Sequence, residues 1–380
     1  MSITNPFQPE IIPTTPVPLS PVEYRTVQIL RQQGSLSRTA IAGEIGYSAS
    51  KITAVVHKLD DAGIIEEKED STYTGGRRAR DLFFDPAYGY LLSVSISKDK
   101  LDIALVDFAE QVRVRRMLPI RIDEGPAGIM QSMRDFVFGR LERFDIPSDK
   151  VLGVGVTLPG AINQASGTPF DSPDLPGWGG YQIVSFLRES FPHAVVNVEK
   201  DANAMAFAEL RKGRGKDFEH MIYVHIDESV RAGLILDGKV FRGISGRAGD
   251  IGQILLPDGQ NLQSLNSLVD TIPLSGHSTN TNTAALEGSS DAIAIIQQSG
   301  ELIGQVLSTM ITLLDPQLIL IGGRATTLGH PFLAAIRRSV LDYSQSFSTE
   351  HLQVELAPLN DASLIGMMAM NAENIFVPES

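Results

Sequence analysis

A repeated order of strands, helix and buried strand constrains the fold of this chain more than any other sequence feature. Strand-like runs at residues 90–97, 100–107 and 111–119 precede a helix at about 126–143 and a buried strand at 151–157. The same order returns with strands at residues 221–226, 231–236 and 239–242, a helix at about 291–314 and a buried strand at 318–321. The repeat predicts an α/β body of two similar lobes around a cleft, and such clefts usually bind small molecules.

Charge separates this body from the first part of the chain. The 380 residues hold 32 basic and 45 acidic side chains, which gives a net charge of −13. Residues 1–80 hold nine of each sign, so residues 81–380 carry the whole net charge. An acidic protein is a poor partner for nucleic acid, but the asymmetry predicts separate modules, and the neutral module can still bind DNA.

Cysteine usage and hydropathy exclude several classes of protein. The chain contains no cysteine, which rules out disulfides, thiolate catalysis and cysteine-ligated zinc or iron–sulfur sites. No apolar run approaches the roughly 20 residues that cross a bilayer. The first residues, Met-Ser-Ile-Thr-Asn-Pro, lack the charged and apolar regions of a signal peptide. We therefore expect a cytoplasmic protein with no membrane partner.

Residues 21–85 have the pattern of a winged helix-turn-helix domain, after a proline-punctuated segment, residues 1–20, that predicts a disordered arm. Helical spacing ends at Gly34, Ser37 is placed to cap a short second helix, and Gly46 marks the turn after it. A longer third helix follows, and then two strand-like runs joined by a polar turn. The alternative is a small helical subdomain whose polar face contacts only solvent and does not bind DNA.

The helix-turn-helix interpretation places the start of the third helix in the major groove and the wing near the phosphate backbone. The candidate DNA-binding residues are Arg38, Ser48, Ser50, Lys51, Thr53, His57, Lys58, Arg77, Arg78 and Arg80. Three arginines within four residues, after two glycines, are suited to phosphate contacts or to a narrow minor groove. The wing could instead be an ordinary charged hinge, and the acidic residues 66–70 beside it disfavour DNA.

Several motifs resemble the ROK family (repressor, open reading frame, kinase), which joins sugar kinases of the actin-like fold to repressors with an N-terminal winged helix. The motifs are Asp-Leu-Pro-Gly-Trp at 174–178, Val-Glu-Lys-Asp-Ala-Asn-Ala at 198–204, Leu-Asp-Gly-Lys at 236–239, Gly-Asp-Ile-Gly at 249–252 and Leu-Ile-Gly-Gly at 320–323. The resemblance covers roughly residues 22–370. It implies a winged helix-turn-helix followed by a two-lobed actin-like (ribonuclease-H-like) sugar-kinase fold, with lobes over residues 86–200 and 201–380.

The resemblance also indicates that kinase chemistry is lost. The family's two glycine-rich phosphate turns fall at residues 95–99 and 226–233, where the first has no glycine and the second brings Asp227 and Glu228 to the phosphate position. At about 5 Å and an effective dielectric constant near 20, each carboxylate–phosphate pair costs roughly 3 kcal/mol. Compensation by Arg231 or a metal would weaken this conclusion. Asp201 matches the family's catalytic base, and we interpret it as a hydrogen-bond acceptor for a ligand. We predict no catalytic residue and no cofactor.

The family's zinc ligands are replaced as well, because Gln253, Asn261, Gln263 and Leu268 occupy the histidine and cysteine positions. The positions that contact sugar in the family remain polar. They give the candidate effector-binding residues Asp174, Lys200, Asp201, Asp250, Gln253 and Asp270. Lys200 either binds an anionic group of a changed ligand or neutralises Glu199 or Asp201 in an unliganded pocket, and the sequence leaves both open.

We predict a sequence-specific transcriptional regulator, a repressor of carbohydrate-related genes that binds a double-stranded DNA operator and responds to a sugar or sugar derivative. A palindromic operator favours a homodimer or a dimer of dimers. One alternative is an ATP-dependent sugar kinase with an accessory DNA-binding head. Another is a regulator that responds to a partner protein instead of a small molecule.

Overall fold

The computed structural model describes residues 16–69, 80–258, 261–269, 287–344 and 350–379. Its helices are α1 Pro21–Gln33, α2 Arg38–Ile45, α3 Ala49–Asp61, α4 Pro126–Arg143, α5 Ile183–Ser190, α6 Asp201–Lys212, α7 Leu265–Val269, α8 Ser290–Leu314, α9 Gly329–Tyr343 and α10 Ala362–Ile375. Short 3-10 helices lie at Ile122–Glu124, Ser148–Lys150, Ile251–Gln253 and Arg324–Leu328.

The strands fall into two five-stranded sheets, a three-stranded wing and short pairs. They are β1 Val17–Leu19, β2 Leu36–Ser37, β3 Ile65–Glu69, β4 Arg80–Phe84, β5 Tyr90–Ile96, β6 Lys100–Asp107, β7 Val112–Pro119, β8 Val151–Leu158, β9 Ile162–Asn163, β10 Thr168–Pro169, β11 Val195–Lys200, β12 Met221–Ile226, β13 Val230–Leu236, β14 Lys239–Val240, β15 Leu255–Asp258, β16 Asn261–Ser264, β17 Leu318–Gly322, β18 Gln353–Leu356 and β19 Phe376–Pro378.

The two five-stranded sheets share one topology, which confirms the repeat. Their strand orders are β11-β8-β5-β6-β7 and β14-β13-β12-β17-β18. In each sheet the first strand of the meander lies between the second and the buried strand that follows the long helix. In the second sheet β12 pairs antiparallel with β13 and parallel with β17. Every residue of β12 and β17 is buried, because a parallel pairing covered on both faces requires a continuous apolar run.

The winged helix forms as the sequence predicts. Ser37 accepts a hydrogen bond from the Ala40 amide at the start of α2, and Gly46 ends that helix with a φ of 76°. Strands β2, β4 and β3 form the wing sheet in that order. Helix α3 buries Ile52, Val55, Val56 and Leu59 on one face. The fold class, a winged helix-turn-helix with a sugar-kinase-like α/β body, is therefore confirmed.

The predicted disordered arm extends too far. Val17–Leu19 is a strand that pairs in parallel with Phe376–Pro378, and Ser20 caps α1 through a reciprocal hydrogen-bonded box with Glu23. This pairing satisfies backbone groups that a short proline-containing segment cannot satisfy locally. Residues 1–15 lie outside the described residues.

The chain divides into two compact units that each combine separate segments. We call one the body unit, whose described residues lie within Thr157–Tyr181 and Glu199–Ala369. The other, the head unit, contains the winged helix, the first sheet, Gln182–Val198 and the described residues from Met370 onward. The predicted lobe boundaries at residues 86, 200 and 201 stay a prediction. No helix in the described segments is long and apolar enough to span a membrane.

Candidate functional site

A pocket of about 370 Å³ lies in the body unit. Its charged and amide side chains are those of Asp171, Asp174, Arg231, Arg247, Asp250, Gln253 and Asn266, and Phe170 contributes an aromatic wall. A volume of this size is typical of small-molecule sites, and a few polar groups in such a pocket determine which ligand fits.

Arg231, one of the pocket residues, pairs with Asp201, which does not line the pocket. Asp201 is the aspartate that matches the family's catalytic base. Both residues are buried, with Asp201 5% exposed and Arg231 8% exposed. The Arg231 Nε donates to Asp201 Oδ1 at 3.1 Å and Nη2 donates to Oδ2 at 2.8 Å. Burial by itself would lower the pKa of Arg231, but the charges of Asp201 and Asp174 raise it above its usual range. This bidentate pair occupies both carboxylate oxygens of Asp201.

The same arginine reaches the pocket edge through Ser229 and Asp174. Nη1 of Arg231 donates to the Ser229 hydroxyl, which in turn donates to Asp174 Oδ2 at 2.9 Å. Nη1 also lies 3.8 Å from Asp174 Oδ2. Arg231 therefore links the start of α6 to the loop that carries Asp174.

Lys200 is completely buried and does not line the pocket. Its Nζ donates to the Ala248 carbonyl oxygen and lies 3.5 Å from Asp250 Oδ1. Burial lowers the pKa of the Lys200 ammonium, although Asp250, Glu199 and Asp201 oppose the shift. Glu199 has its own cation, because Arg242 Nε donates to its Oε2 at 2.6 Å. Lys200 thus ion-pairs with Asp250 and with neither acid that the sequence suggested.

The structure brings part of the predicted effector set together. Asp174, Asp250 and Gln253 line the pocket, whereas Lys200 and Asp201 lie behind it. Asp270 lies outside the described residues. Sequence reasoning missed the binding potential of Phe170, Asp171, Arg231, Arg247 and Asn266. Arg247 lies two residues before the Gly-Asp-Ile-Gly motif. This closeness to the motif is the sequence feature that could have identified Arg247 as a pocket residue.

The second phosphate turn, between β12 and β13, carries an internal ion-pair cluster. Arg324 Nε donates to Asp227, and its Nη2 pairs with Glu228. Burial would raise the pKa of Asp227, but hydrogen bonding and charge from His225 and Arg324 lower it to about 2. Arg324 therefore supplies a positive charge beside both acids, and the charge of Asp227 also acts on Arg231. Both acids of the turn thus already have a cationic partner within the protein.

The family's zinc site does not fit this chain either. Strands β15 and β16 form an antiparallel hairpin where the cysteine-rich loop would lie. Asn266, in the short helix after it, accepts a hydrogen bond from the Val230 amide at 2.8 Å. Leu265 beside it is fully buried. Backbone pairing, packing and this hydrogen bond hold the loop.

Helix α3 presents a polar, partly basic face opposite its buried one. Ser50, Lys51, His57 and Lys58 are exposed and Thr53 is half-buried. The Ser48 hydroxyl accepts the Lys51 amide at 3.4 Å and lies 3.1 Å from the Ser50 hydroxyl. Lys51 Nζ lies 4.8 Å from the centroid of Tyr47. Exposed side chains at the start of such a helix are in position to reach base edges or phosphates.

Three of the candidate DNA-binding residues, Arg38, Lys58 and Arg80, have acidic partners within the winged helix. Arg38 donates to both carboxylate oxygens of Glu67, at 3.0 and 2.9 Å. Arg80 Nη1 lies 3.9 Å from the same carboxylate, and Lys58 Nζ lies 3.2 Å from Glu23. Arg77 and Arg78 lie outside the described residues. Arg38 therefore fixes the wing strand to α2, and this contact neutralises one of the acids that disfavoured DNA.

A winged helix followed in the chain by two sheets of the same strand order defines a class, the DNA-binding transcriptional regulators. The family comparisons agree. The ROK family model matches residues 91–374, so the chain belongs to the ROK family. The MarR family model matches residues 19–72, the winged helix.

Named relatives and solved structures extend this result. The chain is 25% identical to the xylose repressor of Caldicellulosiruptor bescii, over 88% of this chain and 91% of that protein. It is 25% identical to the DNA-binding transcriptional dual regulator NagC of Escherichia coli K12, over 90% of each. A ROK family transcriptional regulator homologous to the E. coli MLC protein matches with a TM-score of 0.79 at 21% identity, covering 93% of this chain and 95% of that one. A ROK glucokinase from Streptomyces griseus gives 0.62 at 21% identity, covering 74% and 99%.

Proposed function

We propose that this regulator represses carbohydrate-related genes and that its body binds a sugar or sugar derivative without transferring phosphate to it. The observation that carries the proposal is the buried pair of Asp201 and Arg231 beside a polar pocket. A carboxylate with both oxygens bound to an arginine is a poor acceptor for a sugar hydroxyl proton. The Arg324 cluster supports the same conclusion, because it occupies the phosphate turn.

On the DNA side, we assign the exposed face of α3 to the major groove. Ser48, Ser50, Lys51, Thr53 and His57 contact bases or phosphates in this proposal. Lys58, Arg77, Arg78 and Arg80 contact phosphates. Arg38 positions the wing through Glu67. The regulator binds a two-fold symmetric operator as a homodimer or dimer of dimers, in the cytoplasm where the chromosome lies.

On the effector side, the polar groups of the pocket bind ligand hydroxyls directly. Asp174, Asp250 and Gln253 line it, and Asp270 completes the set. Lys200 and Asp201 act indirectly, since each orients a partner from behind the wall: Asp250 for Lys200 and Arg231 for Asp201. The xylose and N-acetylglucosamine repressors among the relatives support a sugar-derived effector.

Two assays on the full chain test the proposal. Footprinting on the DNA upstream of the chain's own gene is expected to show a protected, two-fold symmetric sequence whose affinity falls with salt. ATP consumption over a panel of sugars is expected to stay at the background rate. Turnover that Asp201→Asn abolishes would replace the proposal with the sugar kinase. A footprint that is insensitive to every small molecule tested would favour control by a partner protein.

A further inference from the structure

Arg247 differs from the other charged groups of the pocket because no described carboxylate pairs with it. Its guanidinium carbon lies 4.2 Å from the centroid of the Phe170 ring, and both side chains line the pocket. A guanidinium stacked on an aromatic face keeps its N–H groups, which lie in its own plane, available to a ligand. The stack also limits the rotamers of Arg247, so less entropy is lost when it binds.

The other ionic groups around the pocket have partners within the protein. Asp250 pairs with Lys200, and Arg231 pairs with Asp201. Asp174 accepts the Ser229 hydroxyl. Asp171 accepts the Gly179 amide at 3.2 Å, a neutral donor. An incoming ligand therefore meets one cation, Arg247, that no described acid satisfies.

Ser172 is an independent sign that a polar ligand enters this pocket. Its hydroxyl oxygen is buried and has no hydrogen-bond partner among the described atoms, yet the residue lines the pocket. A buried hydroxyl without a hydrogen-bond partner is energetically unfavourable. A ligand hydroxyl would restore that bond, whereas an apolar ligand would not.

We propose that the effector is a sugar derivative that carries one anionic group, a carboxylate or a phosphate, and that Arg247 binds this group. The inference rests on the proposed function, because it concerns the same pocket. A neutral sugar would cover Arg247 and remove its water without supplying a counter-charge, which is costly for a cation. An anionic group forms a charge-assisted and potentially bidentate bond in its place. Hydroxyls elsewhere on the ligand bind Ser172, Gln253 and Asp250.

The test is calorimetric titration of the full chain with matched ligands that differ only in the anionic group. The probes are D-xylose, D-xylonate and D-xylose 5-phosphate, the corresponding D-glucose, D-gluconate and D-glucose 6-phosphate, and inorganic phosphate alone. We expect at least one anionic sugar to bind tenfold or more tightly than its neutral parent. A carboxylate or a phosphate preference then identifies the source of the charge. Binding of inorganic phosphate as tight as that of every sugar phosphate would overturn the inference.

Variants of two pocket residues distinguish the effect of charge on ligand binding from a general loss of stability. Arg247→Gln is expected to remove the tenfold preference. It should leave the melting temperature of the protein unchanged, because the Arg247 side chain is exposed. Arg247→Lys is expected to retain part of it as a point charge. Asp171→Asn keeps the acceptor for Gly179 and removes a like charge, so anionic sugars are expected to bind several-fold more tightly. The inference fails if Arg247→Gln leaves the preference intact, or if no anionic sugar binds better than its parent. The ligand-free footprint tests the regulator separately and survives that failure.

Discussion

Two arginines carry the proposal that this chain does not transfer phosphate to a sugar. Arg231 takes both oxygens of Asp201, and Arg324 takes the two acids of the phosphate turn. Asp201 matches the catalytic base of the family's kinases, and Asp227 and Glu228 lie in the turn that matches a phosphate turn. In this chain, each of these carboxylates pairs with an arginine of the protein. The Arg231–Asp201 pair is buried; such a pair adds little net stability, but the loss of one partner leaves a costly unpaired charge.

Asp201→Asn is expected to lower the free energy of unfolding by about 3–5 kcal/mol, because it removes the carboxylate charge that pairs bidentately with the buried Arg231 guanidinium and leaves only the more distant Asp174. Urea denaturation at neutral pH measures the change. Asp171→Asn is the matched control, since it alters an aspartate of the same pocket that has no ion pair, and it should change stability by less than about 1 kcal/mol. Equal stability of the two variants would contradict the assignment of the pair.

Asp227 predicts a pH dependence. Its folded pKa of about 2 lies below its ordinary value of 3.8, so the unfolded chain binds the proton more tightly. The stabilisation, about 2 kcal/mol, is fully present above the ordinary value and is lost as the pH falls toward 2. The stability difference between the wild type and Asp227→Asn should therefore shrink between about pH 5 and pH 2.

At the scale of elements, close backbone contact holds α10 against α6. A Cβ on Gly366 would lie 1.7 Å from the carbonyl oxygen of Ala204. Only glycine permits this approach, since the nearest atom belongs to the backbone and cannot move aside. Asp201 begins α6, so the contact lies one turn from the buried ion pair.

Gly366→Ala is expected to destabilise the chain by about 1–3 kcal/mol through overpacking. Gly139→Ala is the control, because Gly139 lies in the exposed middle of α4 with open space around it. That change should stabilise by about 0.5–1 kcal/mol, since alanine has the higher helix propensity. Thermal unfolding of both variants measures the two changes in stability, which should have opposite signs. A Gly366→Ala variant more stable than the wild type would disprove the close contact.

The exposed face of α3 predicts a salt effect on DNA binding. Lys51→Ala should reduce the slope of log affinity against log salt concentration by about 1, because one phosphate contact releases about one counterion. Fluorescence anisotropy with the footprinted operator measures the slope. Lys216→Ala, an exposed lysine of the body unit, should leave it unchanged. Identical slopes for the wild type and Lys51→Ala would remove Lys51 from the interface.

The sequence predicted those elements whose cause is local. The repeated meander is visible because most of its strands contain a run of apolar residues, and α2 is visible through Ser37 and Gly46. The pairing of Val17–Leu19 with Phe376–Pro378 is not visible, because strands of three residues carry no period and their partners lie at opposite ends of the chain. The site follows the same rule. The sequence motifs were enough to identify Asp174 and Asp250 as pocket residues. The partners of Lys200, Asp201 and Asp227 could not be predicted, because they are distant in the sequence and meet only in the folded chain.

At the scale of the whole molecule, segments from the beginning and the end of the described chain pair within the head unit. Strand β1 leads directly into α1 and pairs with β19, which follows α10. Helix α10 belongs to the body unit as far as Ala369 and to the head unit from Met370.

The central claim is that this chain regulates transcription by binding specific DNA sites. Chromatin immunoprecipitation of the tagged full chain in its own host tests it most directly. We predict discrete peaks that share a two-fold symmetric sequence near carbohydrate-related genes and that weaken with Lys51→Ala but not with Lys216→Ala. Uniform recovery of the genome, or peaks that do not respond to Lys51→Ala and to His57→Ala, would contradict the claim.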